Sequence, residues 1–154
     1  EVVPLAREVE YAKGYLTIQK MRYKDKLEFE IDVEPSILNI PLIKLVLQPI
    51  IENAIYHGLK YKESKGLLQV KGFMKDGNAV LQVIDNGVGM DEETLSHIYD
   101  KHKVNYHSNG VGVYNVQKRL KLYYGENYGI TYEREKGVGT TATITIPGIQ
   151  EESI

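Results

Sequence analysis

The sequence predicts an α+β fold: a two-layer sandwich in which a mixed, mainly antiparallel sheet carries helices on one face. Three observations lead there. Helical and strand patterns follow one another without strict alternation, which argues against a wholly parallel sheet. Residues 66–75, "GLLQVKGFMK", and 78–85, "NAVLQVID", flank an Asp-Gly-Asn turn, a strong hairpin signal. The last strand-like stretch, "TTATITIP" at 140–147, sends Ala142, Ile144 and Ile146 one way and threonines the other, so one sheet face is buried and one is wet.

The remaining elements fall around these. Residues 4–22 carry Leu5, Val9, Ala12, Leu16 and Ile18 at roughly helical spacing, interrupted by Gly14. "LEFEIDV", 27–33, alternates apolar and charged residues as a half-buried strand does, and Pro35 ends it. Residues 41–59 read as a helix in which Pro49 marks either a kink or a fresh first turn. A polar stretch, 91–109, supports at most a short helix near 91–98. Residues 110–124 form a glycine-led helix, and "YGITYERE", 128–135, pairs with the last strand across "KGVG".

The chain has 154 residues, enough for one domain with a sizeable core. A net charge of −2 provides no general attraction to nucleic acid or membrane, so any polyanion needs a local site, and no nucleic-acid partner is expected. With no cysteine, disulfides and thiolate metal sites are excluded. No apolar run approaches the ~20 residues of a membrane span.

Four stretches depart from what packing alone needs. In "QPIIENAIYHG", Glu52, Asn53 and His57 interrupt an apolar helix, and Asn53 and His57, four apart, share a face. A neutral amide oxygen suits a hard cation such as Mg²⁺, though a buried Asn bonded to backbone is the plainer explanation. "DNGVGM", 85–90, ends a strand with Asp85 and continues through Gly87 and Gly89. It is ordinary turn chemistry, but it also lets the backbone approach a flat ligand. "GVGV", 110–113, opens a helix whose free N–H groups suit phosphate; a plain glycine cap is the commoner explanation. "KGVGTTATI", 136–144, is a hairpin turn.

Taken together, in this order and spacing, the four resemble the Bergerat-type ATP-binding domain shared by histidine kinases, type II topoisomerases, mismatch-repair ATPases and a class of ATP-driven chaperones. "ENAIYHG" matches its N box, "DNGVGM" its G1 box, "GVGVYNVQKRL" its G2 box and "GVGT" its final glycine box. "YLTIQKMRY", "LVLQPIIENAIYHG" and "YNVQKRLKLYYGENYG" look like the LytS/YesM-like branch of sensor histidine kinases.

The resemblance implies a role for each residue. Asn53 would bind the Mg²⁺ that bridges the ATP phosphates. Glu52 would sit near the transferred phosphoryl group and polarise the attacking imidazole. Asp85 would accept the adenine amino group, with Gly87, Gly89 and Met90 against the base. Gly110, Val111 and Gly112 would offer amides to the phosphates. Thr140 would lie beside Asp85, His57 near the phosphates, and residues 91–109 would form the lid over ATP. Residues 1–22 would be the tail of a helical dimerisation and acceptor region or a linker helix, and 23–154 the catalytic domain. None of His57, His97, His102 and His107 lies in an acceptor-like helical context, so the acceptor is expected upstream. The implied whole is the cytoplasmic part of a homodimeric membrane sensor that passes its phosphoryl group to a response regulator. Three other readings share parts of the pattern: a gyrase- or chaperone-like ATPase, an anti-sigma-type serine kinase, and a nucleotide-binding module without catalysis. The ending at "GIQEESI", seven residues past the last strand, argues against the ATPase, which needs a further lysine-bearing domain.

Overall fold

The computed structural model describes residues 1–59, 62–88, 110–135 and 137–150. Its elements are β1 (Val2–Pro4), α1 (Leu5–Tyr23), β2 (Leu27–Val33), β3 (Pro41–Ile43), α2 (Leu47–Asn53), a π-helical turn (Ala54–Leu59), β4 (Gly66–Lys75), β5 (Asn78–Asp85), α3 (Gly110–Tyr124), β6 (Gly129–Glu135) and β7 (Gly139–Pro147). Five strands form one sheet in the order β2-β4-β5-β7-β6. The β2–β4 pair is parallel and the other three are antiparallel. The α+β class and the mixed sheet are as the sequence predicts. The short helix expected near 91–98 and the lid expected over 91–109 lie outside the described residues.

The hairpin between β4 and β5 forms where Asp-Gly-Asn placed it. Lys75 pairs with Asn78, and both loop residues take positive φ, Asp76 at 52° and Gly77 at 80°. Two positive values in a two-residue loop match the right-handed twist of the flanking strands.

Residues 41–59 are not one helix. Pro41–Ile43 is instead a short strand that pairs antiparallel with Val2–Pro4. The helix begins at Leu47, so Pro49 stands in its first turn, where no intrahelical bond is lost. The start of α2 is capped from another element. Glu8 of α1, buried, accepts hydrogen bonds from the N–H groups of Val46 (2.8 Å) and Leu47 (3.2 Å) on one oxygen, Oε1. A carboxylate there satisfies orphan donors and lies at the positive end of the helix.

One core joins the layers. Leu5, Ala12 and Leu16 of α1, Ile50 and Ile51 of α2, and Val113, Val116 and Leu120 of α3 pack on Leu68, Val70, Leu81, Val83, Ala142 and Ile144 of the sheet. Residues before 23 therefore share one core with the sheet and the other helices. Ile18, by contrast, points outward. Side chains also anchor α3. Gln117 closes two hydrogen bonds with the backbone of Ile130 (2.7 and 2.9 Å), replacing a strand neighbour at the sheet edge. Tyr124 Oη accepts from Ile43 N–H (3.2 Å). Among the described residues no helix is long and apolar enough to cross a membrane.

Candidate functional site

Asp85 is placed by strand periodicity. Ala79, Leu81 and Val83 face the helices, and with period two the next residue in phase is Asp85. Its carboxylate is therefore carried under the helical layer and is only 6% exposed. Gly87 N–H donates to it at 2.9 Å, and the backbone N–H of Thr140, its register partner on β7, donates as well. Burial nevertheless prevails over these two bonds and pushes the carboxyl up to about 6.

The opposite wall is α2 and its π-helical continuation. The extra residue per turn in a π segment is frequent at functional sites. Here it brings Gly58 against the carboxylate: a Cβ on Gly58 would lie 2.8 Å from Asp85 Oδ1. A side chain on Gly87 would run into the Gly58 backbone, and Val88 N–H donates to Gly58 carbonyl oxygen at 3.0 Å. The glycine at 87 is thus required by contact between the strand-end turn and the π turn.

Asn53, His57, Asp85 and Thr140 line one cleft, together with Ile50, Ala54, Gly58, Val83, Tyr132 and Ala142. Asn53 Oδ1 and Thr140 Oγ1 are buried in it and make no hydrogen bond among the described residues. Unpartnered buried oxygens cost free energy, and their usual explanation is a ligand, an ion or water. The Asn53 oxygen fits Mg²⁺, which takes few protein ligands and keeps water and phosphate in its shell. Among the described residues no group of three or more His, Asp or Glu forms a competing metal cage.

The other expected residues are distributed as follows. Gly110, Val111 and Gly112 open α3. Gly112 stands beside Pro49, 3.5 Å from the proline Cβ to where its own Cβ would be. Glu52 does not line the cleft with Asn53. Successive residues of a helix diverge by roughly 100°, and Glu52 faces the α1 side, half-buried, accepting from Gln48 Nε2 at 3.2 Å. Gly89 and Met90 lie outside the described residues. Sequence reasoning missed Gly58, Tyr132 and Ala142. Gly58 stood in the motif beside His57, and Tyr132 and Ala142 were in phase with the buried Ile130 and Ile144.

The sequence profile of the histidine kinase-, DNA gyrase B-, and HSP90-like ATPase family matches residues 39–150. The chain is 31% identical over 147 residues to the sensor histidine kinase YesM of Bacillus subtilis, covering 96% of this chain and 24% of that protein. It is 35% identical over 128 residues to the sensor protein LytS of Oceanobacillus iheyensis, covering 82% of this chain and 22% of that one. The chain thus spans about a quarter of the length of these relatives. The fold superposes on the catalytic domain of histidine kinase ThkA with a TM-score of 0.70 at 14% identity, covering 96% of this chain and 98% of that one.

Proposed function

The chain belongs to the histidine kinase-, DNA gyrase B-, and HSP90-like ATPase family, and on that premise we propose that it transfers the γ-phosphoryl group of ATP to a histidine outside these 154 residues. One observation carries the reading. The Asp85 carboxylate, Asn53 Oδ1 and Thr140 Oγ1 are buried acceptors in one cleft, and the last two have no hydrogen-bond partner among the described residues. That set has too many acceptors to be a packing feature and suits a base amino group and a metal-bound polyphosphate.

The residues divide the work. Asp85 accepts the adenine amino group and disfavours guanine, whose carbonyl oxygen would face a carboxylate. Thr140 Oγ1 offers a second polar contact at the base. The first amides of α3, at Gly110, Val111 and Gly112, face the phosphates with the helix dipole behind them. Asn53 would hold Mg²⁺, which would supply neutralisation of the negative charge on the phosphates. His57 contributes to the phosphate side of the cleft. The unprotonated ring nitrogen of the acceptor imidazole attacks γ-phosphorus, a P–N bond forms, and the bond to the β,γ-bridging oxygen breaks. Glu52 accepts from the opposite ring N–H and holds the tautomer in which the attacking nitrogen keeps its lone pair. Catalysis rests on positioning, since the protein supplies no covalent nucleophile. In the parent, α1 leads from a helical dimerisation segment carrying the acceptor. The parent is a membrane-anchored dimer with this domain in the cytoplasm, and a response regulator receives the phosphoryl group.

The test mixes the chain with γ-radiolabelled ATP and the upstream segment of its parent protein. Acid-labile label on that segment is expected. Asn53→Ala is expected to keep most nucleotide affinity but lose its Mg²⁺ dependence and the transfer. Acid-stable label, or label on the chain alone, would overturn the reading.

A further inference from the structure

After proline, glycine is the poorest residue for a helical turn, because it has the most freedom to lose on folding. Gly58 nevertheless sits, buried, in the π-helical segment Ala54–Leu59. Its backbone does not ask for glycine, since Gly58 is not among the glycines that take a positive φ. Alanine could adopt the same conformation. The reason for the missing side chain lies in what a Cβ would meet. The three nearest atoms are Oδ1, Cγ and Oδ2 of Asp85, at 2.8, 3.0 and 3.1 Å. All three belong to one carboxylate.

Three nearly equal distances put that Cβ position over the flat face of the carboxylate, not at its edge. A carboxylate accepts best near its own plane and has about four acceptor positions there. The backbone N–H groups of Gly87 (2.9 Å) and Thr140 take two of them. The rest serve the cleft that Asp85 shares with Asn53 and Thr140. The wall over the face is itself held, because Gly58 carbonyl oxygen accepts from Val88 N–H at 3.0 Å. Gly87 makes a useful contrast. A Cβ there would run into the Gly58 backbone, which has nowhere to go, whereas a Cβ on Gly58 meets the end of a side chain that can turn.

We propose that Gly58 is a positioning residue for base selection: its bare Cα lies against one face of the Asp85 carboxylate and sets the plane in which that group meets the amino group of the base. The inference rests on the functional reading above, in which Asp85 accepts that amino group, and adds the part of the fold that aims the acceptor. The two backbone N–H groups hold the carboxylate along its edge, and Gly58 fixes its tilt. A methyl at 58 would tilt the carboxylate away from both donors and from the base, while the turn that carries the methyl keeps its place. Preference for a base with an amino group thus depends on the absence of a side chain across the cleft.

The test titrates the full-length parent protein with the magnesium complexes of ATP and of purine riboside 5′-triphosphate, which differs from ATP only in lacking the amino group. The wild type is expected to prefer ATP roughly 10- to 150-fold, the worth of one charge-assisted hydrogen bond. Gly58→Ala is expected to bind the purine analogue within about threefold of wild type and to keep less than about a threefold preference for ATP. A second measurement needs no nucleotide. Once Asp85→Ala has removed the carboxylate, adding Gly58→Ala should raise the melting transition of this domain by about 2–4 °C, the gain of alanine over glycine in a helical turn. The same substitution beside an intact Asp85 should give less or none of that gain. A wild-type preference for ATP in Gly58→Ala, or equal weakening of both triphosphates, would overturn the positioning role alone. So would an unfolded Gly58→Ala, or the same melting shift with and without the carboxylate. Equal affinity of the wild type for the two triphosphates would instead remove Asp85 from the base, and this inference with it.

Discussion

Replacing Asp85 with asparagine is expected to stabilise the apoprotein while weakening its hold on adenine nucleotides. The buried carboxyl titrates at about 6 against an ordinary value of 3.8. Its folded-state value lies above the unfolded one, so the neutral form favours folding and that contribution is complete below about pH 3.8. It is lost as pH rises through about 6. A difference of about two units corresponds to roughly 3 kcal/mol of destabilisation carried by ionised Asp85 near pH 8. Asparagine has no charge to desolvate and keeps an oxygen for the Gly87 and Thr140 N–H groups. Asp85→Asn should therefore gain up to roughly 3 kcal/mol at pH 8, about 6–12 °C in melting temperature for a chain of this size. The gain should shrink steadily between pH 7 and pH 4. Urea denaturation of both proteins across that range measures it. An asparagine variant less stable than wild type at pH 8, or a difference independent of pH, would refute the reasoning. Nucleotide affinity of the wild type should run the other way, falling below about pH 6 as the acceptor becomes protonated.

Two further substitutions test the scaffold. Glu8→Ala leaves the N–H groups of Val46 and Leu47 without their shared acceptor, and should cost about 2 kcal/mol in urea unfolding; an effect under about 0.5 kcal/mol would contradict the cross-element cap. Gly87→Ala forces a methyl against the Gly58 backbone and should cost about 1–3 kcal/mol together with nucleotide affinity, measured by melting and calorimetry; unchanged values in both would mean the two turns are free to separate.

Much of this architecture was legible because its signals are local. The hairpin of β4 and β5 follows from Asp76-Gly77 between alternating strands, and α3 from the spacing of Val113, Val116 and Leu120. The segment 41–46 misled because Leu42, Ile43 and Val46 carry helical spacing, whereas three-residue pairing with β1 and the left-handed Leu45 are set by tertiary contacts. The cap from Glu8 is invisible for the same reason, since its donors lie 38 and 39 residues away. In the site, the burial of Asp85 follows from its phase with Leu81 and Val83. That Thr140 stands opposite it depends on the β5–β7 register, which no local pattern specifies. The divergence of Glu52 from Asn53 follows from helix geometry alone, since successive residues of a helix point roughly 100° apart. The π turn at 54–59, which brings Gly58 to the carboxylate, has no sequence signature comparable to a strand or a cap.

The central claim is that Asp85 reads an adenine in the cleft it shares with Asn53 and Thr140. Isothermal titration of the chain with Mg·ATP and Mg·GTP at pH 8 tests it most directly. Loss of one charge-assisted hydrogen bond is worth about 1.5–3 kcal/mol, so GTP should bind roughly 10- to 150-fold more weakly than ATP, and Asp85→Asn should lose most of that preference. Equal affinity of the wild-type chain for the two nucleotides would contradict it.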